Sequence, residues 1–207
     1  SKARLTYNQV AAALYDKDAA ALEVVGELLP HLQNLDKLFR VLLKARAKRG
    51  AIDFETQETR MIFDDNGKIE KIVPESRNDA HRVIEECMLA ANVCASEFLQ
   101  ANEHPALYRV HEGPTPDKLA KLRDFFAEFG LQLGGGDEPR ASDYGRLLEQ
   151  IQGRPDLQLL QTVMLRSLRQ AVYSPENVGH FGLAYDAYTH FTSPIRRYPD
   201  LLVHRAI

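Results

Sequence analysis

The stretch Thr192-Ser193-Pro194-Ile195-Arg196-Arg197, followed by Tyr198-Pro199-Asp200, decides how the 207-residue chain is read. It lies within His180–Ile207, HFGLAYDAYTHFTSPIRRYPDLLVHRAI. Ser193 before Pro194 predicts an N-cap followed by proline at the first helical position. Free backbone N–H groups and two arginines would then share one helical turn. Such an end attracts anions, and a guanidinium fork fits a phosphate in bidentate fashion. The plainer alternative is an ordinary helix start in which Arg196 pairs with Asp200, although the basic residue standing first is the weaker orientation. Pro199 fits poorly inside such a helix because it removes a backbone donor.

Length and composition allow one domain with a sizeable core. The net charge of −3 argues against a broadly basic, nonspecific nucleic-acid binder, so any nucleic-acid contact must be local. No long apolar run predicts a membrane span, and no signal-peptide pattern is present. Cys87 and Cys94 stand seven apart on one predicted helix, about 10 Å along its axis. That is too far for a disulfide, and free thiols in a reducing compartment are expected.

Working outward, Asn8 to Tyr15 reads as a short helix and Asp18 to Lys48 as mostly helical, interrupted near Pro30. Leu35, Leu38, Leu42 and Ala45 form an apolar stripe at helical spacing. Arg40, Lys44 and Lys48, with Arg46 and Arg49 nearby, form a basic run. It is either a solvated face or a phosphate contact. Thr56 to Phe63 and Lys68 to Val73 flank Asp64-Asp65-Asn66-Gly67, a hairpin signal. The paired aspartates belong to the turn rather than to a metal site. Asn78 to Asn102 is the clearest helix, with an expected core stripe of Ile84, Met88, Ala91, Ala95 and Phe98. Glu86 falls off that stripe. Leu107 to Val110 reads as a strand. Asp117 to Phe129, Ser142 to Gln152 and Pro155 to Tyr173 read as helices. Gly134-Gly135-Gly136 reads as a loop, not a nucleotide-binding fingerprint. Phe181 to Leu183 and Ala187 to Phe191 read as short strands. His204 stands at helical spacing from Asp200 and is expected to pair with it.

Five separated motifs carry a family resemblance. They are ARLTYN (Ala3–Asn8), RGAIDFET (Arg49–Thr56), RNDAHRVIEECMLAAN (Arg77–Asn92), ALYRVHEGP (Ala106–Pro114) and HFTSPIRRYPDLLVHR (His190–Arg205). In that order they resemble the RNB family of exoribonucleases. The resemblance implies a mixed α/β, helix-rich fold, part of an RNB-type catalytic domain with a small β-sheet flanked by helices. It implies a magnesium-dependent enzyme of the cytoplasm. That enzyme hydrolyses single-stranded RNA processively from the 3′ end to nucleoside 5′-monophosphates, without a nucleotide cofactor.

Residue by residue, Arg196 resembles the family's catalytic arginine, and Phe54 the aromatic that stacks on bases at the 3′ end. Tyr7 and Glu86 resemble residues that recognise ribose. Arg197 and Ser193 are expected to support RNA binding beside Arg196. No metal ligand is expected within residues 1–207. The aspartate cluster that holds magnesium is expected upstream, and the cold-shock-like and S1-like RNA-binding domains outside the chain. The last helix reaches Ile207 without a cap, and a domain truncated at both ends is the expectation. Two rivals stay open on the residues alone, a non-catalytic RNA-binding module and a helical interaction scaffold.

Overall fold

The structure, a computed structural model, describes residues 2–54, 58–75 and 77–207. The chain folds into two compact units, residues 1–43 with 55–87 and residues 44–54 with 88–207.

In the first unit, α1 (Tyr7–Ala11) begins at a capping box. The Gln9 amide donates to Thr6 Oγ1 at 3.3 Å and the Thr6 amide donates to Gln9 Oε1 at 2.9 Å. A π-turn over Ala12–Asp16 follows and ends on Lys17 in the left-handed region. Asp18 caps α2 (Ala19–Val25) by accepting from the Ala21 amide at 2.8 Å. A 3₁₀ turn, Gly26–Leu28, leads into α3 (Leu29–Arg49), so the interruption expected near Pro30 falls at the start of α3. Ala13, Ala21 and Val25 bury a small cluster against Leu5, Leu22 and Leu32.

The hairpin pairs β1 (Glu58–Phe63) with β2 (Ile69–Glu75) in antiparallel register. Asp64 Oδ1 accepts from the Asn66 and Lys68 amides at 2.9 and 2.8 Å, which is the turn chemistry expected of it. The start of the strand expected at Thr56 lies outside the described residues.

Helix α4 spans Asp79–Ala101. In the second unit, β3 (Tyr108–Val110) is followed by α5 (Pro116–Glu128), α6 (Ala141–Ile151) and α7 (Leu157–Ser167). These three helices build the main core from Leu119, Leu122, Phe126, Tyr144, Leu147, Ile151, Leu160 and Met164. Then β4 (Val172–Ser174) pairs antiparallel with β3, and α8 (Tyr198–Ala206) closes the chain. A second cluster joins Ala95 and Leu99 of α4 to Val203 of α8, with Phe191 beside them.

Several sequence expectations change. The helix expected to reach Tyr173 ends at Ser167, because Val172–Ser174 instead satisfies the backbone of β3. Residues 181–184 are turns, and the 187–191 stretch contributes only an isolated bridge from Thr189 to Tyr108. On α3 the expected core stripe is mostly exposed, with Leu42 partly buried: Leu38 is 47% exposed, whereas Phe39 is fully buried. On α4 the buried line runs through Ala80, Val83, Glu86, Leu89, Asn92, Ala95 and Leu99. Ile84 and Phe98 are exposed. A stripe chosen by hydrophobicity alone misses this face because two of its members are polar.

The basic run of α3 also divides. Arg40 pairs with Asp36 at 3.2 Å and Asp79 at 2.9 Å. Buried Arg46 pairs with Asp53 at 3.1 Å, and Arg49 donates to the Leu183 carbonyl at 3.0 Å while lying 3.8 Å over the Tyr185 ring. Lys44 and Lys48 remain exposed.

Candidate nucleic-acid interface

The segment carrying Arg196 is a turn, not the helix start expected from Ser193-Pro194. Helix α8 begins at Tyr198 with Arg197 as its N-cap residue. Pro199 therefore sits in the first turn, where no backbone donor is lost. The Arg196 and Arg197 amides both donate to the Ser193 carbonyl, at 3.2 and 3.1 Å. The Ser193 amide donates to Asp200 Oδ1 at 2.8 Å. These three N–H groups are thus engaged internally and do not form an open anion cradle.

Asp200 is fully buried and is the hub of the turn. Its Oδ1 also accepts from Arg197 Nη2 at 2.7 Å. The expected Arg196–Asp200 pair is therefore replaced by Arg197–Asp200 at (i, i+3). Arg197 is drawn inward and Arg196 is left exposed beside Ile195, which is 97% exposed. Ser193, Arg196 and Arg197 thus stand together, with one guanidinium held and the other presented.

The approach to this turn is pinned at nearly every residue. The Tyr188 carbonyl accepts from the Arg109 amide at 2.8 Å, and Thr189 Oγ1 donates to the Leu107 carbonyl at 2.6 Å. Asn92 Oδ1 accepts from the Phe191 and Thr192 amides at 2.9 and 3.2 Å, while its Nδ2 donates to the Tyr188 hydroxyl at 2.8 Å. His204 does not pair with Asp200. Its ring stacks on Phe191 at 4.2 Å, and its Nε2 donates to the Phe191 carbonyl at 2.9 Å.

Rings run beside this segment. His190 meets Tyr188 edge-on at 5.7 Å, and its Nδ1 is 2.6 Å from the Tyr173 hydroxyl. Burial, then the positive charge of Arg197, push His190 down to about 4. His180 is likewise pushed down to about 4, first by burial and then by His111. Its Nδ1 accepts from the Leu183 amide at 3.2 Å. His111 Nδ1 accepts from the Gly182 amide and its Nε2 donates to the Arg169 carbonyl, which fixes the Nε2–H tautomer. Burial lowers its pKa as well. Burial thus favours the neutral form of all three rings.

Phe54 is partly buried and packs against the main core of the second unit, outside any strand. In the first unit, Tyr7 opens α1, half-exposed, with its ring stacked on His81 at 4.1 Å. His81 Nδ1 lies 2.8 Å from Asn78 Oδ1. Glu86 is 4% exposed and so belongs to the buried line of α4 rather than to a solvated face. Its neighbour Glu85 pairs with Arg77. Asn92, Asp200 and Tyr188 are not evident as site residues from the sequence. Asn92 offered one signal, an amide repeating at three-residue spacing with Leu89 and Ala95.

Among the described residues, no three His, Cys, Asp or Glu side chains stand together so as to hold a metal ion. Magnesium takes oxygen donors and needs carboxylates close together. The described residues do not fit such a site. Among them, no helix is long and apolar enough to cross a membrane.

Known proteins align with the whole of this chain. The RNB domain matches residues 1–207. Ribonuclease R of Vibrio cholerae is 54% identical over 207 residues, covering 100% of this chain and 25% of that protein. Ribonuclease R of Escherichia coli is 50% identical with the same coverage. The structure of Mycoplasma genitalium RNase R in complex with ribose methylated single-stranded RNA matches with a TM-score of 0.88. Its sequence is 31% identical, over 99% of this chain and 32% of that one. The chain spans about a quarter of the length of the curated relatives it matches. On the extent of these matches, the chain belongs to the RNB domain family.

Proposed function

We propose that this chain is part of a 3′-to-5′ exoribonuclease that degrades single-stranded RNA processively to nucleoside 5′-monophosphates in the cytoplasm. The observation that carries the reading is the presentation of Arg196. It stands exposed on a turn whose neighbours are tied down, while the adjacent arginine is held by a buried carboxylate. A guanidinium carried on a turn placed in this way binds the scissile phosphate in two-point fashion and meets the charge that develops there. Ser193 and Arg197 support that contact by shaping the turn that carries Arg196. Phe54 stacks on a base near the 3′ end, which suits processivity because every base has a π-face. Tyr7 and Glu86 recognise the 2′-hydroxyl, the group that separates RNA from DNA. Magnesium is the cofactor of the intact enzyme, on carboxylates outside this chain.

The test is a time course on 5′-labelled single-stranded RNA with magnesium, with the intact enzyme and the 207-residue chain side by side. Stepwise shortening by the intact enzyme to a small remnant is expected. Arg196→Ala in that enzyme is expected to slow turnover by about 100-fold or more, the effect of removing one preorganised donor, with RNA affinity little changed. Inactivity of the intact enzyme would favour a non-catalytic RNA-binding module. A loss confined to affinity would remove Arg196 from the chemical step.

A further inference from the structure

We propose that Asn92 is the positioning residue for Arg196, an inference that rests on the role given to Arg196 above. Asn92 is 3% exposed and stands on α4 between the apolar Leu89, Ala95 and Leu99. A leucine would fill that space without needing partners, so the amide serves the loop it touches. Its oxygen takes the amide protons of two consecutive residues, Phe191 and Thr192, from a helix about a hundred residues earlier in sequence. Two N–H donors converging on one atom require the oxygen there. The nitrogen must then face Tyr188, whose hydroxyl accepts it. Tyr188 is itself buried, so the orientation of the amide is set from both ends.

The consequence falls on Arg196. Thr192 is the last residue held by Asn92, and Ser193 the first held by Asp200. The two anchors meet on adjacent amides immediately before the turn that carries Arg196. Asp200 belongs to α8 and moves with the turn, so it closes the turn on itself. Asn92 ties the turn to α4, through side-chain contacts to the backbone. Val203 of α8 also packs on Ala95 and Leu99, so without the polar tie the turn keeps its shape and shifts about that apolar contact. A displacement of about 1 Å in a group that meets the transition state is enough for about a 100-fold loss. RNA affinity, spread over many contacts, should change little.

The experiment uses the intact enzyme in single-turnover assays on labelled RNA, with binding measured separately. Asn92→Leu is expected to slow the chemical step by about 100-fold while leaving the RNA dissociation constant within a few-fold. Asn92→Asp retains an oxygen for both amides and accepts the Tyr188 hydroxyl proton, so much of the rate should return. The deciding measurement is the double variant. If Asn92 acts through Arg196, Asn92→Leu adds almost nothing to Arg196→Ala. Multiplying losses, or wild-type rates in Asn92→Leu, would overturn the proposal while Arg196 keeps its role. Unimpaired Arg196→Ala would instead overturn the role of Arg196, and the proposal with it. Should Asn92→Leu fail to fold, Tyr188→Phe carries the same cycle, since it removes the partner that orients the amide.

Discussion

Removing the carboxylate of Asp200 probes the turn most directly. The side chain is fully buried, and one oxygen holds both the Ser193 amide at 2.8 Å and Arg197 Nη2 at 2.7 Å. Asp200→Ala leaves a charged guanidinium inside the turn without its counter-charge, and losses of that kind run at about 3–5 kcal/mol. The Arg197 side chain is 20% exposed and so recovers some hydration, which favours the lower end, about 3 kcal/mol. For a chain of this size the midpoint should fall by roughly 6–12 °C. Asp200→Asn keeps an acceptor for both donors and loses only the charge assistance, about 1 kcal/mol. The chain has no tryptophan, so helical circular dichroism in urea is the suitable signal. Amide exchange at Ser193 provides the local one and should accelerate in Asp200→Ala. Equal losses in the two variants, or a loss under about 1 kcal/mol in Asp200→Ala, would refute the hub role of the carboxylate.

Two further outcomes follow from the same second unit. His180 titrates at about 4 when folded and near 6.5 when unfolded, so on acidification the unfolded chain takes up its proton first. Stability should therefore fall between pH 6.5 and 4, by up to about 3 kcal/mol from this residue, and His180→Gln should flatten the slope seen in urea titrations. An unchanged slope would mean that His180 is not the group responsible. Gly50→Ala should destabilise by about 2 kcal/mol or more, since φ is +77° and the new methyl would lie 2.7 Å from Ser142 Cβ. A neutral result by thermal melting would show that the end of α3 and the start of α6 separate at little cost.

What the sequence made legible was local. The Asn66-Gly67 turn, the helices around Asp117–Phe129 and Ser142–Gln152, and the interruption near Pro30 each follow from short-range chemistry, and each is present within a few residues. The misreadings share a nonlocal cause. Val172–Ser174 has helix-compatible neighbours and becomes a strand because β3 needs a partner. Ser193-Pro194 has the form of a helix start, yet a carboxylate seven residues on takes the Ser193 amide and moves the start to Tyr198. On α4, hydrophobicity selected Ile84 and Phe98, whereas burial follows Glu86 and Asn92. Polar residues on a buried line are invisible to a hydrophobic count.

That pattern bears on the phosphate contact proposed for Arg196. A helix N-terminus would offer the anion several amides and a dipole, and an arginine would add to an attraction already present. In this chain the Ser193, Arg196 and Arg197 amides are turned inward, and Arg197 is committed to Asp200. Ground-state attraction at the turn is correspondingly reduced, and what remains is one exposed guanidinium on a turn whose backbone is held. An interaction of that kind contributes little to holding RNA and much to the moment when charge builds on the phosphate. The buried polar groups around it, Asn92 from one side and Asp200 from the other, spend their hydrogen bonds on placement rather than on ligand. Under the proposed function, a site so arranged would favour turnover over affinity, the balance required of an enzyme that must release its strand by one nucleotide and take hold again.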